Sequence, residues 1–284
     1  MLNKSKIIHW IGLLPRKILR KIYLATFVLI SIGPLIWIII SSFKSNKEIL
    51  SSAFSLPKHF NFDGYKAAID ISPIFKFYGN SIIISVLSTL LNVLVVSMAA
   101  YILARVQFRG KKVLTLLLAS SLLIPVASLL MPIYTIMTKV GLYDTKASLI
   151  IVYAALGLPV SLFVIKSYMQ GIPKEIEESA YLDGAGFAKT FFSVVLPIAK
   201  PGLATAAILQ FLTSWNEFMF ALVLTKSNST RTLPLALNYF TSQFSFNYTA
   251  MFAALTMVIL PSTIIFTVLQ EQITGSMVEG SVKG

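Results

Sequence analysis

The sequence contains no cysteine, so disulfides, thiolate metal sites and cysteine nucleophiles are excluded by composition. Charge is also scarce: Asp, Glu, Lys and Arg make up only 12% of the 284 residues, where a soluble globular domain carries about 25%. The two histidines, His9 and His59, are far apart, lack a ligand-spaced partner and read as loop residues. No metal site is expected from them. The chain has no Gly-x-x-x-x-Gly-Lys-Ser/Thr phosphate cradle, so ATP hydrolysis by this chain is not expected. No histidine and no pair of carboxylates falls in the apolar runs, so no catalytic set is expected and the chain does not read as an enzyme.

What the sequence does have is apolar length. Hydrophobic residues make up 56% of the chain, and mean hydropathy is +0.79. Six runs stand out, at 22–43, 79–104, 113–138, 147–165, 202–225 and 248–269. Each is long enough to cross about 30 Å of hydrocarbon as a helix. Backbone amides in lipid must be satisfied within the segment, and the alternation of a membrane barrel is absent. The expected fold is therefore all-α, a polytopic membrane protein with six transmembrane helices. Six basic residues precede the first run, which superficially resembles a secretory signal. That run is too long for such a signal, and an uncleaved first helix is the expectation.

The net charge of +13 would suggest nucleic acid on a soluble chain. Here the basic residues lie between apolar runs, where they set orientation, and no nucleic-acid partner is expected. Of the 24 basic residues, fifteen fall in alternate segments beginning with the N-terminus and nine in the others. The positive-inside rule thus puts both termini in the cytoplasm. Arg105, Arg109, Lys111 and Lys112, in one short loop, are the strongest local anchor. Prolines at 34, 125, 132, 159 and 261 fall inside the runs, each removing a backbone donor and tending to kink its helix.

Residues 171–201, between the fourth and fifth runs, form the longest structured polar segment on the expected cytoplasmic side. Pro173 suits a helix start, and Glu175, Glu177 and Glu178 complement the positive end of the dipole in a first helix running to about Leu182. Asp183-Gly184-Ala185-Gly186 reads as a turn. Phe187, Phe191, Val194 and Val195 then mark a second amphipathic helix, expected to end at Leu196-Pro197. Such a segment offers a rigid, partly acidic knob to another protein.

Glu178-Ser179-Ala180, then Gly184 and, nine residues on, Val194-Val195-Leu196-Pro197, resembles the coupling loop of binding-protein-dependent ABC importer permeases. The pattern in that family is Glu-Ala-Ala, three residues, Gly, nine residues, Ile, any residue, Leu-Pro. This chain departs from it at Ser179 and Val194, both small changes. Ser42-Phe43-Lys44-Ser45, the stretch 99–105, Phe108-Arg109-Gly110, Ser214-Trp215-Asn216-Glu217-Phe218, Arg231-Thr232-Leu233-Pro234 and Val282-Lys283-Gly284 are similar to the maltose-type carbohydrate subfamily.

The resemblance implies a type I ABC importer permease fold for this inner-membrane component, multi-pass in the cell membrane. Residues 1–77 would hold the cytoplasmic N-terminus, first transmembrane helix and external loop. Residues 78–271 would form a five-helix core with its coupling loop at 171–201, and 272–284 a cytoplasmic tail. The ATPase-coupling residues would be Glu178, Ser179, Ala180, Asp183, Gly184, Ala185, Gly186, Leu196 and Pro197. Implied partners are a second permease subunit, two ATP-binding cassette subunits that use ATP and magnesium, and an extracytoplasmic solute-binding protein delivering a sugar. This chain itself would bind no cofactor. A non-sugar solute is the alternative, and a secondary transporter is disfavoured by the absence of repeats and ionisable relays. Glu217 is the only charged residue within any of the six runs. With Trp215 and Asn216 it is a candidate for the translocation path, against a purely structural hydrogen bond between helices.

Overall fold

The computed structural model describes the backbone of residues 4–240 and 247–281, with the side chains of 18–240, 247–268 and 270. Val282-Lys283-Gly284 lies outside the described residues. Fourteen α-helices and no strand occur among them. Three helices are long and apolar enough to cross a membrane unaided, and the number rises to six if each of three bent pairs is one span. The chain divides into two compact units, Met1–Ile71 with Phe240–Met257, and Ser72–Tyr239 with Val258–Gly284.

In the first unit α1 (Lys4–Ser41) is one unbroken helix that absorbs Pro34. It also includes His9, so that residue is helical rather than in a loop: the helix begins well before the apolar run. Short helices α2 (Asn46–Ser51) and α3 (Asp63–Ile71) follow. α2 starts with a capping box, Ser45 accepting from the Glu48 backbone and Glu48 from that of Ser45. The backbone N–H groups of Ser45 and Lys58 hold the Glu48 carboxyl below its ordinary value. Lys44 is fully buried, with no acidic partner among the described residues. Its Nζ donates to Ser52 O (3.3 Å) and Ala53 O (2.9 Å) just past the end of α2, where a cation complements unpaired carbonyls. The last helix, α14 (Tyr248–Ser281), contributes its first turns to this unit and carries Pro261 without a break. Asn46 Oδ1 accepts from Thr249 N at 2.9 Å, and the Trp37 ring meets Phe252 edge-on at 5.1 Å.

The second unit is built on α4 (Ile74–Arg105). The third run is two helices, α5 (Lys111–Ser120) and α6 (Leu130–Lys139), each extended by a short 3-10 segment and meeting at 99°. Ile124 at the corner is extended, with ψ of 120°, the conformation Pro125 imposes on the residue before it. The fourth run is α7 (Lys146–Leu156) and α8 (Leu158–Gln170), bent by 49° around Gly157, two residues before Pro159. A Cβ at Gly157 would stand 1.6 Å from Gln210 Oε1, so a larger residue there would displace the Gln210 amide of the neighbouring helix.

That neighbour is α12 (Lys200–Trp215), and α4 packs against α7, α8 and α12. The contact face of α4 is a buried line of small polar residues, including Ser81, Ser85, Ser88, Thr89 and Asn92, which lets backbones approach closely in a bilayer. Asn92 Nδ2 donates to Ala154 O (2.8 Å) and Gln210 Nε2 to Tyr153 O (2.9 Å). Carbonyls beside the bend are thus satisfied by adjacent helices, as a bilayer demands.

Candidate functional site

Residues 171–201 fold into two arms on the end of α4. The first arm is α9 (Lys174–Leu182), with Glu175 and Glu177 in its first turn. Glu177 is buried, 5% exposed. Its Oε1 accepts from Arg105 Nε at 2.5 Å and its Oε2 from the Tyr101 hydroxyl at 3.0 Å. Arg105 Nη2 also donates to Ile172 O at 2.8 Å. Tyr101 and Arg105 are four residues apart and share one face of α4. The Tyr101 ring also lies 5.0 Å from Phe187 and 4.9 Å from Phe191, in the second arm. Both arms therefore grip the same turn of α4. A desolvated ion pair holds only with such additional hydrogen bonds.

α9 ends in a Schellman turn. Gly184 N donates to Tyr181 O (3.0 Å) and Ala185 N to Ala180 O (2.9 Å). Gly184 sits at φ 82°, a left-handed conformation that strains any residue with a Cβ. The tip is open to its surroundings: Glu178, Ser179, Asp183, Gly184 and Gly186 are exposed, and Ala180 and Ala185 half-buried. Leu182 beside them is 89% exposed.

The second arm departs from expectation. It comprises α10 (Phe187–Thr190), a π turn at Phe191–Val195 and α11 (Leu196–Ile198), so the helix runs through Leu196-Pro197 instead of ending there. The wide turn explains this: Leu196 N reaches back to Phe191 O, and the turn gains room around a proline ring that an α-turn would crowd. Leu196 is half-buried and Pro197 exposed. The arm then bends by 75° into α12.

The fifth run is not continuous. α12 stops at Trp215, and a separate α13 (Met219–Leu224) begins after Asn216, Glu217 and Phe218. Glu217 makes the break tolerable. Its carboxylate accepts from Phe220 N (2.8 Å), Ala221 N (3.0 Å) and the Tyr153 hydroxyl (2.7 Å). It thus covers donors that the start of α13 leaves unpaired. Asn216 is exposed and donates from Nδ2 to Leu212 O at 2.8 Å. Trp215 is buried, stacked on Phe211 at 5.7 Å, and its indole N–H meets no acceptor among the described residues. The break sets Glu217 beside Tyr153, whereas Trp215 faces Phe211 and Tyr78. Of the other intramembrane aromatics, Tyr101 and Phe220 are packed in the core.

Near the opposite end of α4, Asp144 pins the loop after α6 to the loop after α13. It adopts φ 56° and its N–H donates to Leu224 O. Partial desolvation raises its pKa, but hydrogen bonds from Thr230, Lys226 and Ser227 outweigh that and lower it to about 2.

Sequence reasoning missed the Tyr101–Arg105–Glu177 clamp, reading Arg105 as a membrane anchor and Glu177 as a dipole partner. The available signal was the i, i+4 pair of a hydroxyl and a guanidinium at the end of a span, which together require an acceptor. Asp144 was missed outright.

The model of the family described as binding-protein-dependent transport system inner membrane component matches residues 96–278. The diacetylchitobiose uptake system permease protein of Streptomyces coelicolor is 35% identical over 256 residues, 89% of this chain and 85% of that protein. The arabinooligosaccharides transport system permease protein of Halalkalibacterium halodurans is 32% identical over 264 residues, 92% of this chain and 94% of that protein. The trehalose transport system permease protein of Mycobacterium tuberculosis is 32% identical over 256 residues, 88% and 92% respectively. Among solved structures, a bacterial ABC transporter involved in the import of the acidic polysaccharide alginate aligns with a TM-score of 0.80 over 95% of this chain and 98% of that one. At 23% identity that likeness establishes the fold.

Proposed function

The chain belongs to the binding-protein-dependent transport system inner membrane component family, and from that premise we propose that it is the permease subunit of an ATP-driven importer moving a sugar or oligosaccharide across the cell membrane. The oligosaccharide and disaccharide systems named for its relatives support the substrate class. The observation that carries the mechanism is the two-armed knob clamped to α4 by Arg105, Tyr101 and Glu177.

In this reading both termini and the knob face the cytoplasm. Glu178, Leu182, Asp183 and the Gly184 turn seat in a groove on a partner ATP-binding subunit, and ATP and magnesium are used there. A second permease completes the pathway, and an extracytoplasmic binding protein delivers the sugar. Closure of the ATP-binding pair moves the knob, and the clamp passes that motion to α4. The bundle then shifts between two access states, each favoured by a different partner. The translocation path runs past the break in the fifth span, where Trp215, Asn216 and Glu217 interrupt the helix. The unspent indole donor of Trp215 supports that placement.

Gly184→Asp and Glu178→Lys test the coupling role. Both are expected to abolish ATP-dependent uptake while leaving the subunit in the membrane. Normal uptake by both variants would overturn it. A thermal-shift screen of the cognate binding protein against sugars, amino acids and polyamines tests the substrate class.

A further inference from the structure

Within the second unit, α4 is tied by side chains at both ends, and to different parts of the chain. Its C-terminal end carries the knob through Tyr101 and Arg105. Near its N-terminal end Phe77, Asn80 and Ser81 share one face and carry the loop that follows α13. Asn80 is buried, 3% exposed, and its Nδ2 donates to both Asn228 O (3.3 Å) and Arg231 O (2.8 Å). Ser81 Oγ accepts from Leu233 N at 2.7 Å. The Phe77 ring lies 5.9 Å from that of Tyr239, whose hydroxyl donates to Asn228 Oδ1 at 2.7 Å and accepts from Arg231 Nη1 at 3.1 Å. Leu233, Leu235 and Ala236 are fully buried. Residues 226–239 are thus a plate fixed to α4 by groups 148 to 152 residues away in the chain.

Between these two ends α4 is unbroken and carries no proline. From Asn80 to Arg105 its axis rises about 37 Å at 1.5 Å per residue, more than the hydrocarbon thickness. The other spans within the second unit lack this continuity. The third and fourth runs bend by 99° and 49°, and the fifth is interrupted at 216–218. A bend or break can absorb a displacement as a hinge does, whereas an unbroken helix passes it to its far end.

We propose that α4 is a strut joining residues 226–239 to the knob as one rigid body, with Asn80 and Ser81 as the positioning residues at the end remote from the knob. On the importer reading, on which this consequence rests, the arrival of the solute-binding protein at the outer face is passed through the strut to the ATP-binding subunits.

The cysteine-free sequence makes the test direct. Lys226 and Lys189 are exposed, one at each end of the strut, and Lys226→Cys with Lys189→Cys is spin-labelled in the complete transporter in nanodiscs, its partners freed of cysteine. The distance between the labels is expected to agree within about 2 Å between resting and vanadate-trapped complexes, the scale of small helix shifts, and its distribution to broaden in Asn80→Leu. A larger change between the two states, or a distribution that Asn80→Leu leaves untouched, overturns the strut. In unlabelled complexes Asn80→Leu is expected to lower the ATPase rate stimulated by binding protein at least about threefold while the basal rate holds. Ser81→Ala gives the same signs at smaller amplitude and carries both comparisons if Asn80→Leu fails to assemble. Asp144→Gly frees the same loop from its other tether without touching α4, and is expected to retain the stimulation; a loss equal to that in Asn80→Leu overturns the route through α4. A wild-type ATPase that ignores the binding protein defeats the importer reading, whereas the label distance decides the strut by itself.

Discussion

Removing Arg105 is expected to detach the knob without unfolding the bundle. The Arg105 and Glu177 side chains are 9% and 7% exposed, so Arg105→Ala leaves a desolvated carboxylate with only the Tyr101 hydroxyl as partner. Breaking a buried pair this way costs about 3 to 5 kcal/mol. At about 1.4 kcal/mol per tenfold, the ratio of docked to detached knob falls by a hundredfold to several thousandfold. The rest of the unit keeps its contacts, so the loss is a local opening. Val195, in the π turn of the second arm, is fully buried in the contact with α4 and its neighbours, and Val195→Cys in this cysteine-free chain reports the opening by its maleimide labelling rate. The rate is expected to rise at least about tenfold in Arg105→Ala and in Glu177→Gln, with uptake falling in parallel. Glu177→Gln leaves every basic residue in place and so separates detachment from any change of topology. Replacing both partners, as in Arg105→Met with Glu177→Leu, removes the stranded charge and is expected to slow labelling again, since an apolar pair of similar volume is often no less stable. The reasoning is refuted if single variants label at the wild-type rate, or if the double variant opens as far as Arg105→Ala.

Three further outcomes are expected. Glu217→Leu strands the first donors of α13 and is expected to weaken the break by about 2 to 5 kcal/mol, with Glu217→Gln milder because it retains one acceptor; detergent thermal melts of the purified subunit rank the two. Gly157→Ala forces Gln210 from its bond to Tyr153 O and is expected to lower stability by about 1 to 3 kcal/mol, whereas Gly186→Ala, where an added Cβ meets nothing within 4 Å, is near neutral in the same melt. Asp144 ionises at about 2 when folded and near 4 when unfolded. Its contribution is therefore complete above about pH 4 and lost as pH falls through about 2. Relative to wild type, Asp144→Asn should speed proteolysis of the 140–145 loop equally at pH 7 and pH 5, and the gap should close below about pH 4. A gap that widens on acidification contradicts this sign.

The spans and the knob were legible because each rests on local rules. Apolar length marks helices in lipid, and Pro173 and Gly184 punctuate the first arm within two residues of where it begins and ends. The bends were only half legible. Pro125 and Pro159 were flagged and stand at bends, yet Pro34 and Pro261, flagged alike, sit in uninterrupted helices. The fifth span's interruption and the clamp both depend on partners 64 to 76 residues away, Tyr153 for Glu217 and Tyr101 for Glu177. No window along the chain contains both members of such a pair. Pro197 misled for a different reason: a helix stop was the correct local reading, and one extra residue wound into the preceding turn relieved it.

That extra residue sets the phase of everything that follows. In an α-helix each residue advances the winding by about 100°, so deleting Ser193 would restore a four-residue spacing and swing Phe187 and Gly186 by about that angle relative to α12. The tip would still exist, correctly capped, but aimed elsewhere. The pointing direction of the knob is thus stored as an integer, the number of residues in one turn, and a length change of one would miswire the subunit while leaving every side chain of the tip in place.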